Sequence, residues 1–293
     1  MKVNQIGFWI LASFLLAAFP AGRVIGQDEK AGFDPKNFTG TADILQSASS
    51  SVDSLIALEE DIGMAPEDWR KYYRGGKGLE FDVETITDDS RRCILLGVKV
   101  ADGVLALKAK DAETLNACAE YIEKLAKDLK VPEQSLARGF MIKDAVNRGD
   151  WFDAFFQLGL YRQDIVRALK EAEGNDRSKA ILIVCGGWYH GASIAVEVME
   201  DNYSGERTNF LRAQSYVSLM IAELKSITRE DLKASNEMSF LLESLPKVRT
   251  IVDISRDWKV PEGQISKEKL RELKVLANGL SATALTGSRI PVR

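Results

Sequence analysis

Apolar residues recur every three or four positions from about residue 88 to residue 284, the spacing of amphipathic helices. Ile94, Leu95, Val98, Ala101, Val104 and Leu105 share one helical face, and Leu115, Ala119, Ile122, Leu125, Ala126 and Leu129 share another. The pattern predicts helices over 88–109 and 111–129, the second capped by Asp111. Pro132 opens a third stretch to about Asn147. Gly149-Asp150 marks a break, and Asp150 caps the next helix, in which Phe152, Phe155, Phe156, Leu160, Ile165, Val166 and Leu169 run on to Gly174. Its aromatic set, Trp151, Phe152, Phe155 and Phe156, reads as core.

Asn175 and Asp176 start a further helix to about Asn202, and Phe210, Leu211, Val217, Met220, Ile221 and Leu224 form another apolar face. Thr228 with Asp231 resembles a capping box before 229–257, where Pro246 should kink or divide the helix. Ser266 caps a last helix to about Ala284, and the tail 287–293 is expected to fray. Upstream, a helix is expected near 41–61, weakened by Ser49-Ser50-Ser51, and 63–87 is loop-rich. Leu79, Phe81 and Val83 alternate with acids there, a short strand-like signal without a partner strand. The expected fold is all-α: one domain over 41–286, an array or bundle of about eight to nine mostly antiparallel helices.

Before residue 41 the pattern changes. Lys2 precedes an apolar run from Ile6 to Phe19, ended by Pro20. Fourteen residues fall short of the roughly 20 that span a bilayer. Val24-Ile25-Gly26 offers a cleavage site, so 1–26 reads as a secretory signal peptide and the polar stretch 27–40 as a flexible linker. Retention as an N-terminal anchor is the alternative. Removing 26 residues takes away Lys2 and Arg23 and no acid, which moves the net charge from −4 to −6. This balance gives no electrostatic reason to expect nucleic acid as a partner. The expected location is periplasmic or secreted, without stable membrane insertion after cleavage.

The segment Ile181–Gly191, ILIVCGGWYHG, admits two readings. As a strand, glycine turn and helix it would have the shape of a phosphate or oxyanion site, with His190 and Ser193 inviting a hydrolase assignment around 186–193. As a helix it keeps Ile181, Val184, Cys185, Trp188, Ala192, Ala195, Val196 and Met199 on one face. The helix is the better reading, because the spacing fits no dinucleotide loop, P-loop or nucleophile elbow. Glycines 186, 187 and 191 then cost about 1 kcal/mol each relative to alanine. Close helix–helix approach, with Trp188 filling the adjoining space, would offset that. The sharper alternative is a ligand groove lined by Trp188, Tyr189 and His190.

Cysteines 93, 118 and 185 are odd in number and form no disulfide framework. About the hairpin centre at 110, Cys93 and Cys118 are about 13 Å apart, too far to bridge. All three read as small buried hydrophobes. A single His excludes a multi-histidine metal site. The acidic pairs Glu59-Glu60-Asp61, Asp88-Asp89 and Glu200-Asp201 lack a calcium-loop pattern and read as helix ends or solvated faces. Arg91, Arg92, Lys108 and Lys110 read as helix-surface charges. No metal, cofactor or catalytic residue is expected.

ILLGVKVADGVLAL, then YIEKLAKDL, then DWFDAFFQLGLYRQDIVRAL, then AILIVCGGWYHGASIAVEV resembles a group of uncharacterised exported helical proteins frequent in Bacteroidetes and related bacteria, many of them lipoproteins. The leading motif maps to Leu96–Asp102, with Lys99 in place of an aromatic, and the later one to Gly186–Gly191. The likeness spans about 88–227 and implies an all-α cell-envelope protein without an assigned activity. No lipid-attachment cysteine is present in the first 92 residues. The functional expectation is therefore a non-enzymatic binding or interaction protein acting on an envelope protein or a small ligand. The alternatives are the hydrolase and a self-associating structural component of the envelope.

Overall fold

The computed structural model describes residues 50–72, 80–172, 177–253 and 264–292, all within one compact unit, 42–293. The signal peptide, the linker, Leu79, Asn175 and Asp176 lie outside the described residues. Eleven α-helices and no strand are present among the described residues, as the all-α reading requires. They are α1 (Ser50–Ile62), α2 (Pro66–Trp69), α3 (Asp89–Lys108), α4 (Ala112–Asp128), α5 (Arg138–Asn147), α6 (Trp151–Ala172), α7 (Ser178–Asp201), α8 (Gln214–Ser226), α9 (Glu230–Lys233), α10 (Asn236–Val252) and α11 (Lys267–Thr286).

Helix α7 is the axis of the fold. Its residues are apolar on nearly every side rather than along one stripe, and so it is enclosed on nearly every side. Helices α3, α11, α1, α6 and α8 pack around it. The closest approach is to α3, and glycine makes it possible. A Cβ on Gly97 would stand 2.0 Å from the Ile183 carbonyl oxygen, and one on Gly186 would stand 2.2 Å from that of Ile94. At Gly187 the nearest atom to such a Cβ is the Gly97 carbonyl oxygen, at 3.2 Å. Backbone therefore meets backbone at this crossing. Trp188 is buried beside it and packs edge-to-face on Tyr189, with ring centroids 5.6 Å apart. The helical reading of 181–191 is correct, and so is the reason given for its adjacent glycines.

Helices α3 and α4 form the expected hairpin about residue 110. Arg92 meets Asp128 across it at 3.6 Å, the register that keeps Cys93 and Cys118 apart. All three cysteines are buried and none is in a disulfide. Burial pushes the Cys118 thiol up to about 12 and raises that of Cys185 as well. The expected caps at Asp111, Asp150 and Ser266 each accept a backbone N–H in the first turn of their helix. Helix α3 ends on Lys110 (φ 51°) and α4 on Lys130 (φ 67°), both left-handed, and Gly149 (φ 70°) ends α5 in the same way. In each case the following N–H closes onto a carbonyl five residues back. Only the glycine terminator is visible in sequence.

Several expectations need correction. Val83 belongs to a 3-10 turn, Val83–Thr85, and not to a strand. Asp231 pairs with Arg229 instead of closing a capping box with Thr228, and α9 is a single turn. The break in 229–257 falls at Ser235, whose hydroxyl caps α10 by accepting the Met238 N–H. Helix α10 then runs through Pro246 without dividing, because Pro246 lies on the exposed face with Leu242, the residue whose carbonyl loses its partner. Arg91 is mostly buried and donates to the Ala284 and Leu285 carbonyl oxygens at 2.6 and 2.8 Å, satisfying the C-terminal end of α11. Lys108 pairs with Glu59 and lies over the Trp69 ring, so neither cation is a plain surface charge. After Gly287 the Ile290 N–H donates to Thr283, and Ile290 and Val292 pack against the core.

Candidate functional site

Charged side chains rarely point into a helical core, because burying an unpaired charge is costly. Helix α3 carries two that do. Lys99 and Asp102, one turn apart, are 1% and 2% exposed, and His190 of α7 faces them at 3%. Lys99 Nζ donates to Asp102 Oδ2 at 3.0 Å, and Asp102 Oδ1 lies 2.7 Å from His190 Nε2. The carboxylate thus bridges an ammonium and an imidazole. The ammonium is also held by aromatic faces, with Nζ 4.6 Å from the Tyr121 centroid and 5.7 Å from that of Phe81. Those two rings touch each other at 5.0 Å. Cation–π contact of this kind partly replaces the water the ammonium has lost. His190 Nδ1 is buried without a hydrogen-bond partner.

The three residues singled out in sequence diverge around α7. His190 meets Asp102, whereas Tyr189 Oη lies 2.7 Å from Ser244 Oγ on α10. Trp188, Tyr189 and His190 are all interior. Ser193 Oγ donates to Asn278 Oδ1 at 2.9 Å and not to His190, so a Ser–His pair is not formed. Asp102 supplies the carboxylate partner that His190 had lacked, and it lies in the motif Leu96–Asp102. The signal for it was present: two charges at i and i+3 inside an otherwise apolar run. What the cluster does chemically is fix one relative rotation and one register of α3 against α7, since shifting either helix strands a buried charge.

A second buried carboxyl lies elsewhere. Glu237 at the start of α10 accepts from Ser90 Oγ at 2.9 Å, while its Oε1 has no partner. Burial pushes its pKa up, against the pull of its own backbone N–H, of Ser90 and of Arg91. The folded state therefore binds this proton more tightly than the unfolded chain does. The stability that this proton confers is complete below the ordinary carboxylate range and is lost as pH rises through the raised value. Urea titrations of wild type and Glu237→Gln at about pH 4 and about pH 7 should show the wild type gaining on the variant upon acidification. An offset that is the same at both pH values would refute this.

Three of the four aromatic residues expected in the core, Phe152, Phe155 and Phe156, lie at the surface instead. Phe140 is 76% exposed, and Met141, Phe152, Phe155 and Phe156 are each at least about one-third exposed. Trp151 of the same set packs partly against the core. Helices α5 and α6 fold back on each other, with the Tyr161 hydroxyl beside Gly139 at one level and Arg148 paired with Asp153 near the turn. Residues 140 and 141 on α5 and 152, 155, 156 and 159 on α6 all face solvent. The inner stripe of α6 is Ala154, Leu158, Tyr161, Ile165 and Leu169. The acids read as helix ends hold ion pairs between elements: Asp61 with Arg207, Asp89 with Lys179, Glu200 with Lys274, and Asp201 with Lys71. No cluster of three or more potential metal ligands occurs among the described residues.

Compared with family models, curated proteins and solved structures, the chain matches none.

Proposed function

We propose that this is an exported, non-enzymatic interaction protein whose binding surface is the outer face of α5 and α6. The observation that carries this reading is a reversal of the usual distribution. The reactive groups Lys99, Asp102 and His190 are sealed inside, while Phe140 stands in solvent and Met141, Phe152, Phe155 and Phe156 are partly exposed on the same hairpin. Contiguous exposed apolar area of this kind marks interaction sites in soluble proteins. The apolar run Ile6–Phe19 and the slender residues before Gln27 support export to the periplasm or beyond. The likeness to exported envelope proteins supports the same address, and an envelope protein is the partner this location would supply.

The test is capture from envelope extract by the wild type and by Phe140→Ser/Phe156→Ser. The double variant should keep its helical circular dichroism and lose at least tenfold in captured partner. Equal capture by both proteins would refute the assignment of this face.

A further inference from the structure

Side chains from two helix starts hold the end of α11. From the first turn of α3, Arg91 reaches the Ala284 and Leu285 carbonyl oxygens. From the first residue of α10, Asn236 Nδ2 donates to the Gly287 oxygen at 2.8 Å. Further along α10, Glu243 pairs with Arg289, and Lys247 Nζ donates to the Val292 oxygen at 3.3 Å. These holds on 285–292 are polar, whereas the body of α11 is fastened in the core by Leu270, Leu273, Leu276, Ala277 and Leu280. The end of the helix can therefore part from α3 and α10 without the body leaving α7.

Glu237 lies between the two helix starts. It follows Asn236, it accepts from Ser90, the neighbour of Arg91, and it is 2% exposed with Oε1 unpartnered. An ionised carboxyl in such a place needs a further donor. Few charges face it. Asp88 and Arg91 of α3 act on it with opposite sign. The stretch 281–288 of α11 has no titratable side chain. Around α9, Asp231 pairs with Arg229 and Glu230 with Lys233. On α8, Glu223 pairs with Arg177, and Lys225 is exposed. The cation available to an ionised Glu237 is thus Arg91, whose guanidinium already holds the end of α11.

We infer that Glu237 works as a proton-operated latch on the C-terminal segment 285–292. When protonated, it sits neutral between α3 and α10 and leaves Arg91 and Asn236 on the α11 carbonyls. When ionised, it draws Arg91 from them or admits water between the helix starts, and 285–292 comes away while the rest of the fold stays assembled. The environment sets the direction. Burial, aided by the Asp88 charge, pushes the Glu237 pKa up, and release relieves the burial, so the docked segment binds the proton more tightly than the released one. Docking is firm below the ordinary carboxylate range and loosens as pH rises through the raised value. Release uncovers Ile290 and Val292, which pack against the core when docked. The latch is independent of the α5–α6 surface.

Hydrogen exchange of the full chain, read by mass spectrometry at low ionic strength between about pH 5 and about pH 8, tests this. The quantity is the protection factor of a peptide over 285–292, where the Gly287 and Ile290 N–H groups both bond to Thr283, relative to a peptide from α7. In the wild type this ratio should fall about fivefold or more as pH rises. Glu237→Gln keeps the neutral shape and should hold the low-pH ratio throughout. Asp88→Asn removes the like charge that faces Glu237 and should move the fall to lower pH. If Glu237→Gln does not fold, the Asp88→Asn shift decides alone. Equal loss of protection in both peptides, a Glu237→Gln profile with the wild-type pH dependence, or an Asp88→Asn fall at unchanged or higher pH overturns the latch.

Discussion

Replacing Gly97 by alanine is expected to lower the unfolding free energy by about 3 kcal/mol or more. One methyl group has this effect because of what it meets. The added Cβ would stand 2.0 Å from the Ile183 carbonyl oxygen and 2.6 Å from the Gly187 nitrogen, both backbone atoms of a helix enclosed by other helices. No rotamer change relieves the contact, so α3 and α7 must separate, and the packing of Ile94, Trp188 and their neighbours goes with them. Gly186→Ala meets the Ile94 carbonyl at 2.2 Å and should be as damaging, whereas Gly187→Ala, at 3.2 Å, should cost distinctly less. Against a total stability of about 5–15 kcal/mol the first two substitutions threaten folding itself. Urea denaturation followed by circular dichroism orders the three variants. A Gly97→Ala protein as stable as Gly187→Ala would show that the helices do not meet in this way.

The second large effect concerns Asp102. Removing the carboxylate leaves the Lys99 ammonium and the His190 imidazole buried without their shared acceptor. Asp102→Ala should therefore destabilise by about 3–5 kcal/mol. The pair itself is not expected to contribute that much. Lys99→Met/Asp102→Leu removes both charges together and leaves Phe81 and Tyr121 an apolar neighbour in place of the ammonium. It should be markedly more stable than Asp102→Ala, recovering most of the loss, since a buried ion pair exchanged for apolar side chains is often close to neutral. The coupling read from the double-mutant cycle is then large and favourable. An Asp102→Ala variant within about 1 kcal/mol of wild type would mean that water reaches the cluster.

The elements with strong local signals could be read without a structure. Asp111, Asp150 and Ser266 cap as their positions suggest, and the adjacent glycines of α7 mark a helix crossing. Sequence failed where the answer depended on which side of a helix lies against the rest. Helix α6 carries two apolar stripes, Ala154-Leu158-Tyr161-Ile165 and Phe152-Phe155-Phe156. Periodicity establishes both stripes but does not choose between them, and the more hydrophobic one proved to be outside. The candidate site was half legible. His190 stood out as the single histidine, but its partners Lys99 and Asp102 were noticed only as part of a motif and not as a pair. Two charges at i and i+3 in an apolar run do mark the pair, but the aromatic cradle that satisfies it comes from two other segments and leaves no local mark. Arg91 was misjudged for the same reason, because its acceptors lie 193 and 194 residues away.

That last distance bears on how the chain folds in time. Helix α7 is long and apolar enough to cross a membrane by length and composition, and its enclosing walls come from both ends of the described chain, α1 and α11. Helical proteins fold fast when their contacts are local. Here the central helix cannot be covered until the last helix has been synthesised and has docked, with Arg91 closing onto its end. Until then a newly made chain carries an unshielded apolar helix of 24 residues. Folding of this molecule should accordingly be slow for an all-helical protein and dependent on protection from aggregation, its rate set by the arrival of the C-terminus rather than by the formation of any one helix.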